Sequence, residues 1–435
     1  MQFPKNHLHI PGFDEVKIPQ MVKIRQKFNS AHIEDIDAAV AQQFAGADKA
    51  GKLRELRGKR IAITAGSRGI PNYKEVYRAI VRELKQRGAE PFLFPAMGSH
   101  AGGTAEGQRA YLVGLGLTED YLGCPVRSTM ETVVVGTLPN GRDVHCDRYA
   151  YEADGIILCH KIKSHPNFKG EHESGLLKMI CIGAGKHQGA ATFHEDGFDF
   201  FDKRMVAVSE LFLSRLNVIC GIALCENAYD QLARIEVVKT EEIIEKDAEI
   251  LKWSKALMAR LYLQDIDLLV IDEIGKEISG SGFDGNIVGR NCESPQTAHL
   301  FKENAPSIKR IALLDLTEQS HGLAATIGTA DLISRRLANK IDFEKTYINL
   351  FTSKICTGAA MPPYGNSDED TIKLGILTGV HTSRTDARVV RIKNTLCLDE
   401  IEVSTAFLDE MRDDPNIELL SAPYELQFNT ERNLW

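Results

Sequence analysis

The sequence predicts an α/β protein of two domains built on mainly parallel sheets. Three observations predict it. Short apolar runs at 60–67 and 91–97 flank an amphipathic helical segment at 75–87, the strand–helix–strand order of a parallel unit. A second alternation of this kind begins near 268 and runs to about 392. The apolar runs end in loops of small residues, and open α/β sheets bind ligands at such strand ends. A length of 435 residues leaves room for two or three domains.

Each element has its own signature. Residues 33–45 place Ile33, Ile36, Val40 and Phe44 on one helical face. The run 60–67 (RIAITAGS) reads as a buried strand entering a loop. In 75–87 the apolar stripe is Val76, Ile80, Val81 and Leu84, and Gly88 stops the helix. The strand at 91–97 ends in GSHAGG (98–103). Residues 132–138 and 143–149 flank Pro139-Asn140-Gly141-Arg142, whose Asn-Gly supplies the positive φ angles of a hairpin turn. Strands are expected at 155–159, running into a histidine-rich loop, and at 218–224. Residues 241–262 read as one long helix near the domain boundary. Beyond it come a strand at 268–272 entering a glycine-rich loop, a strand at 308–316, helices at 328–340 and 367–378, and a strand at 387–392. The expected division is an N-terminal α/β domain over 1–250, a C-terminal α/β domain over 251–400, and a charged segment, 401–435, packing back on the N-terminal domain.

Composition narrows the function. Apolar residues at 43% and charged residues at 26% are ordinary for a globular chain. With 52 basic against 60 acidic residues the net charge is -8, which disfavours a nucleic-acid partner. No run of 18 apolar residues offers a conventional membrane span. Residues 1–12 are polar, with Pro4 and Pro11, and lack the apolar stretch of a secretory signal. The nine cysteines sit singly and no C-x-x-C occurs, so neither a zinc ribbon nor a thioredoxin-like site is expected. Buried reduced thiols in a cytoplasmic protein fit this usage.

The chemistry concentrates in 159–194, CHKIKSHPNFKGEHESGLLKMICIGAGKHQGAATFH. His160, His165, His172, His187 and His194 all fall here, five of the 13 in the chain. Neutral imidazole serves as a metal ligand and as a general base near neutral pH; the bland alternative is a surface loop. Lys178 opens an apolar run, where desolvation makes an amine nucleophilic, unless it snorkels at a helix start. Arg68 lies between Gly66-Ser67 and Gly69 at a strand end, where glycines let the backbone approach an anion and guanidinium grips a carboxylate. A surface arginine in a turn is its alternative. His100 occupies the equivalent loop of the next strand, so the two are expected on one rim. The loop 274–290 has no P-loop pattern, and its G-x-G-x-x-G letters at 280–285 lack a well-supported following helix. It reads as a flexible loop or as one that closes on a polar ligand with Lys276 and Arg290.

Taken together, GSRGI (66–70), PAMGSHAGGTAEG (95–107), KSHPNFKGEHESGLLK (163–178), GAGKHQGA (183–190), FH (193–194) and DEIGKEISGSGFDGNIVGR (272–290) resemble the nickel-dependent lactate racemase superfamily. The resemblance spans about residues 55–410 and is closest to homologues of uncertain substrate. It implies two α/β domains with the active site in the cleft between them. It also implies a nickel-pincer nucleotide, pyridinium-3,5-bisthiocarboxylic acid mononucleotide nickel, joined covalently to a lysine. Lys178 matches that lysine, and Ser67, Ser174 and Gly175 join it in the implied cofactor set. His194, 16 residues on, matches the nickel histidine. A planar site of carbon, sulfur and imidazole suits nickel better than zinc.

The implied reaction is reversible hydride transfer from the Cα of a 2-hydroxy acid. One histidine per enantiomer exchanges the hydroxyl proton, and His100 and His165 match them. Arg68 matches the residue that grips substrate; Lys276 is a looser match to a second-domain lysine. Two departures matter. The spacing from His165 to Lys178 is longer than in lactate racemase, so His160, His165 and His172 compete for the base; His165 is favoured by K-x-H-x-x-F. No aromatic residue matches the one near substrate, since Trp253 lies too early. A larger or more polar 2-hydroxy acid, sugar acids included, therefore fits as well as lactate. Enzymes that build the cofactor are the implied partners, and a homo-oligomer is compatible. Two rival readings are a metal-dependent hydrolase using His160, His165 and His194, and a non-catalytic small-anion-binding protein using Arg68 and the glycine loops.

Overall fold

The computed structural model describes residues 2–435 apart from Leu8, 48–51, Arg68, Asp196, Phe198, Asp199, 292–297, Asn304, Ser353 and Lys354, and apart from the side chains of Lys52 and Thr352. The chain forms two compact units. One comprises 29–165 and 169–258. The other comprises 1–28, 166–168 and 259–435. The strands in chain order are β1 (Met21–Gln26), β2 (Arg60–Ala65), β3 (Glu90–Pro95), β4 (Thr132–Thr137), β5 (Asp143–Asp147), β6 (Gly155–Lys161), β7 (Val218–Glu226), β8 (Leu232–Lys239), β9 (Ile266–Ile274), β10 (Ile308–Leu316), β11 (Leu332–Ser334), β12 (Tyr364–Gly365), β13 (Val389–Ile392), β14 (Glu400–Ser404) and β15 (Ile417–Leu419).

In the first unit the sheet order is β3-β2-β6-β7-β8. The first four strands are parallel and β8 returns antiparallel to β7. β2 is buried at every position after Arg60, as a central parallel strand covered on both faces should be. The helix Tyr73–Gln86 buries Val76, Tyr77, Ile80, Val81 and Leu84, a stripe at helical spacing packed on the sheet. β4 and β5 form the expected hairpin as a separate two-stranded sheet.

In the second unit eight strands run in the order β12-β11-β10-β9-β13-β14-β1-β15. The five from β12 to β13 are parallel; β14, β1 and β15 are antiparallel to their neighbours. Alternate residues of β9 enter different cores, Leu268 and Val270 one, Leu269 and Ile271 the other, so both faces are covered.

The architecture is α/β with mainly parallel sheets, as the alternation implies. The division of the chain differs from the expected one. The N-terminal β1 belongs to the second unit, paired with β14 through Ile24–Ile401 and with β15 through Ile24–Leu419. The segment 401–435 therefore belongs to that unit, and its strands β14 and β15 join that unit's sheet. The cause is backbone pairing between strands more than 370 residues apart, which local periodicity does not report. The expected helix 328–340 is β11 followed by the short helix Arg335–Lys340, with Ser334 Oγ accepting the Leu337 N–H at 3.1 Å as its cap. The long helix is Ile243–Leu257. Part of the histidine-rich segment, expected as loop, is helical: Leu176–Lys178, a π-helical stretch Met179–Ala184, and Lys186–His194. Among the described residues no helix is long and apolar enough to cross a membrane. The described cysteines are free thiols, six of them buried; Cys292 lies outside the described residues.

Candidate active site

The loops after β2, β3 and β6 converge at the carboxyl edge of the first unit's sheet, around the helical segment 176–184. The end of β2 is fixed from below: Tyr77 donates to the Thr64 carbonyl (2.8 Å) and Tyr73 to the Gly66 carbonyl (2.7 Å). Gly66 sits in a tight place. A Cβ there would stand 3.1 Å from the His160 ring and 3.2 Å from Met179 Cε, so both side chains lie against this backbone. Arg68, two residues on, lies outside the described residues.

Ser67 and His100 are brought together. Ser67 Oγ is 2.5 Å from His100 Nδ1, and the Ser67 carbonyl accepts from the Tyr111 hydroxyl at 2.7 Å. A hydroxyl both donates and accepts, so Ser67 satisfies Nδ1 with or without its proton. His100 is solvent-exposed. Its Nε2 can therefore act as base or as acid while Nδ1 stays held.

The loop from 162 to 175 is closed by a bridge in which Lys163 and Ser174 exchange backbone hydrogen bonds (2.9 and 3.2 Å). Its centre is the Glu173 carboxylate, whose side chain is wholly buried. Oε2 accepts from the His165 N–H at 2.6 Å and the Ser164 hydroxyl at 2.9 Å, with Lys169 Nζ at 3.3 Å; Lys255 Nζ is 2.5 Å from Oε1. His165 is half-buried, with its backbone anchored by this charge cluster.

His172 is placed quite differently. It is 3% exposed, and its Nδ1 lies 3.0 Å from Asp247 Oδ2. Asp247, 1% exposed, accepts the Leu176 N–H at 2.6 Å with its other oxygen. A Cβ at Gly175 would come within 2.2 Å of that oxygen, so glycine is required for the carboxylate to cap the helix. His172 is thus part of the packing that starts the Lys178 helix. Of the three competing histidines, His160 and His165 remain open to the base role. Ser174 and Gly175 do local work in the same turn, the first through its backbone bridge and the second by admitting Asp247.

Lys178 and His194 stand 16 residues apart, about 24 Å in a straight helix. The chain doubles back between them. Lys186 adopts φ 56°, which ends the π-helical stretch, and a Cβ at Gly189 would stand 3.2 Å from the Cys181 carbonyl oxygen. This close return brings His194 within electrostatic range of Lys178. His194 Nδ1 is 2.7 Å from the Ala190 carbonyl, which can only accept, so Nδ1 carries the proton and Nε2 presents its lone pair. Although its edge is open to solvent, His194 has a pKa below the ordinary histidine value. Burial is the largest cause; the Ala190 carbonyl opposes it, and the Lys178 and Arg204 charges add to it. Replacing Lys178 with Met is expected to raise the His194 midpoint in an NMR pH titration. An unmoved midpoint would refute the proximity.

This donor set, one amine and one neutral imidazole, fits a metal carried mainly by its own organic ligand. Among the described residues no group of three His, Cys, Asp or Glu side chains is placed to hold a metal. That counts against the His160–His165–His194 set.

Lys276 belongs to the second unit, in the exposed turn after β9, where the Gly275 N–H donates to the Gly282 carbonyl at 2.9 Å. Arg290 is committed elsewhere. It pairs with Asp331 at 2.5 Å and donates to the Ile308 and Lys309 carbonyls at 3.1 Å, bracing the start of β10. The G-x-G-x-x-G letters precede only a four-residue helix, Gly285–Val288.

The buried carboxylates Glu173 and Asp247 escape a sequence reading. The one hint is Gly175, a glycine ahead of an apolar helix.

Residues 9–200 match the lactate racemase N-terminal domain family. Among solved structures, the lactate racemase apoprotein from Thermoanaerobacterium thermosaccharolyticum is similar at 13% identity, over 80% of this chain and 93% of that one, with a TM-score of 0.46. A Thermotoga maritima protein of known crystal structure is similar at 14% identity, over 65% and 70% of the two chains, with a TM-score of 0.43. No curated protein sequence matches.

Proposed function

With residues 9–200 matching the lactate racemase N-terminal domain family, we propose that this chain is a racemase or epimerase of a 2-hydroxy acid that works with a covalently held nickel-pincer nucleotide. The family supports a racemase-type activity, and hence an isomerase. The observation that carries the finer reading is the return of His194 toward Lys178, with Nε2 as the presented nitrogen.

In this reading Lys178 holds the cofactor covalently, His194 ligates nickel, and Ser67, Ser174 and Gly175 border the cofactor. When bound, the cofactor supplies an acceptor for the hydride at the substrate's Cα and returns it. Everything else falls to side chains. His100 Nε2 takes the hydroxyl proton of one enantiomer, with Ser67 satisfying Nδ1 throughout. His165 does the same for the mirror image, on a backbone pinned by Glu173. Arg68 and Lys276 neutralise the carboxylate. Cofactor-building enzymes are partners in this reading, the protein is cytoplasmic, and a homo-oligomer is compatible with it.

The test is intact-protein mass spectrometry with nickel analysis on protein made alongside the cofactor-building enzymes. An adduct mapped to Lys178, accompanied by nickel and lost in Lys178→Ala, is expected. Absence of both adduct and nickel, under conditions that load a lactate racemase, would overturn the proposal.

A further inference from the structure

Lys186 has no part in the reaction just described, yet it is a fully sequestered cation near the site. Its side chain is 0% exposed, as is that of Asp147, and the two form an ion pair at 3.0 Å. Burial lowers the pKa of Lys186 and raises that of Asp147, with their mutual attraction opposing both shifts. A methionine would fill similar volume without that desolvation. Packing alone therefore does not explain a lysine here.

The geometry of the ammonium does. It donates to two oxygens, the Pro95 carbonyl at the end of β3 and Gln108 Oε1 at 3.2 Å in the helix Ala105–Gly114, and its charge faces a third, Asp147 Oδ2 at the end of β5, as an ion pair. Gln108, itself 0% exposed, passes the link on. Its Nε2 donates to the Gly98 carbonyl at 2.8 Å and the His100 carbonyl at 3.3 Å. Lys186 is also the first residue of the helix Lys186–His194, entered through its left-handed φ of 56°. One buried cation thus touches the strand end that leads to His100 and the helix that ends in His194.

We propose that Lys186, paired with Asp147, is a positioning residue that, through Gln108, holds the His100 loop in register with the helix carrying His194. The inference rests on the racemase reading for its purpose but not for its geometry. A misplacement of about 1 Å can slow a catalysed step about 100-fold, so a fixed distance between the base and the metal helix has a kinetic reason to exist.

The decisive variant is Gln108→Leu, which severs the link and leaves the ion pair intact. Lys186→Met/Asp147→Asn removes both charges and keeps the Asp147 cap on Ala150. The primary readout is the histidine Cε1–H NMR spectrum of the unloaded chain, with the His100 resonance identified by its loss in His100→Gln. Both variants are expected to shift or broaden His100 and to leave the buried His172 resonance in place. In loaded enzyme, single-turnover keto-acid formation from one enantiomer should fall about tenfold or more relative to that from its mirror image. A folded Gln108→Leu chain with an unmoved His100 resonance would overturn the inference, whatever its activity. A moved resonance in a chain without racemase activity would support the positioning and sink the racemase reading. If the double variant does not fold, Gln108→Leu decides alone.

Discussion

Replacing Asp247 with Ala is expected to destabilise the first unit by about 2–4 kcal/mol and to reduce cofactor attachment at Lys178. Two buried donors lose their acceptor, the Leu176 N–H and His172 Nδ1. Each unsatisfied buried donor costs about 1–3 kcal/mol. The expected total falls below the largest sum because removing a buried carboxylate also removes its desolvation penalty. The second effect follows from position. Leu176 opens the helical turn that ends at Lys178, so losing the cap frays the backbone that aims the amine. Asp247→Asn separates the two causes. Its amide oxygen can still cap Leu176, and its NH₂ can donate to His172 once that ring carries its proton on Nε2. It should therefore retain most of the stability and most of the attachment. Urea unfolding followed by intact mass analysis checks both. Equal stability for Asp247→Ala and the parent would show that the cap carries no weight.

The parts of the fold legible in the sequence are those whose stabilisation is local. β2 and β6 are buried almost throughout because both faces of a central parallel strand are covered, and the middle of β10 is buried for the same reason. The helix Tyr73–Gln86 shows its stripe because one face meets the sheet. β1 and β15 escape for the opposite reason. Each is held by a strand nearly the full chain away, so no window of neighbouring residues contains its partner. The helical stretch 176–194 escapes because it is buried on several sides and interrupted at Lys186, which removes the amphipathic period.

The candidate site divides along similar lines. His100, His165, Lys178 and His194 stand out by residue type and by motif. The groups that hold them do not. Asp247 sits in IIEKDAEILKW, where it reads as one more solvated acid on a helix, yet it is buried against the start of the Lys178 turn. Glu173 sits in GEHESG and reads the same way, though it gathers the His165 loop. A carboxylate is expensive to bury and is therefore read as exposed. Asp247 is compensated by the Leu176 N–H and His172, and Glu173 by the His165 N–H, Lys169 and Lys255.

Removing either proposed base is expected to slow turnover by about 10²–10⁴-fold, the usual worth of a positioned acid–base group. Each variant, His100→Ala and His165→Ala, should nevertheless show equal steady-state kcat/KM in the two directions. For a racemase the two enantiomers are equal in free energy. The ratio of forward to reverse kcat/KM is then fixed at unity for any variant, so that ratio cannot assign a base to a face. The half-reaction can. Keto acid formed in a single turnover needs only the base that faces the enantiomer supplied. His100→Ala should therefore suppress it from one enantiomer and spare it from the other, and His165→Ala should show the mirror pattern. Ser67→Ala should weaken the His100 enantiomer more than its mirror image, and by less than His100→Ala does, since it removes a partner of the imidazole while leaving the base itself. Suppression of both enantiomers by His100→Ala, with none by His165→Ala, would reject the two-base arrangement and return His160, packed against Gly66 at the same sheet edge, as the candidate to test.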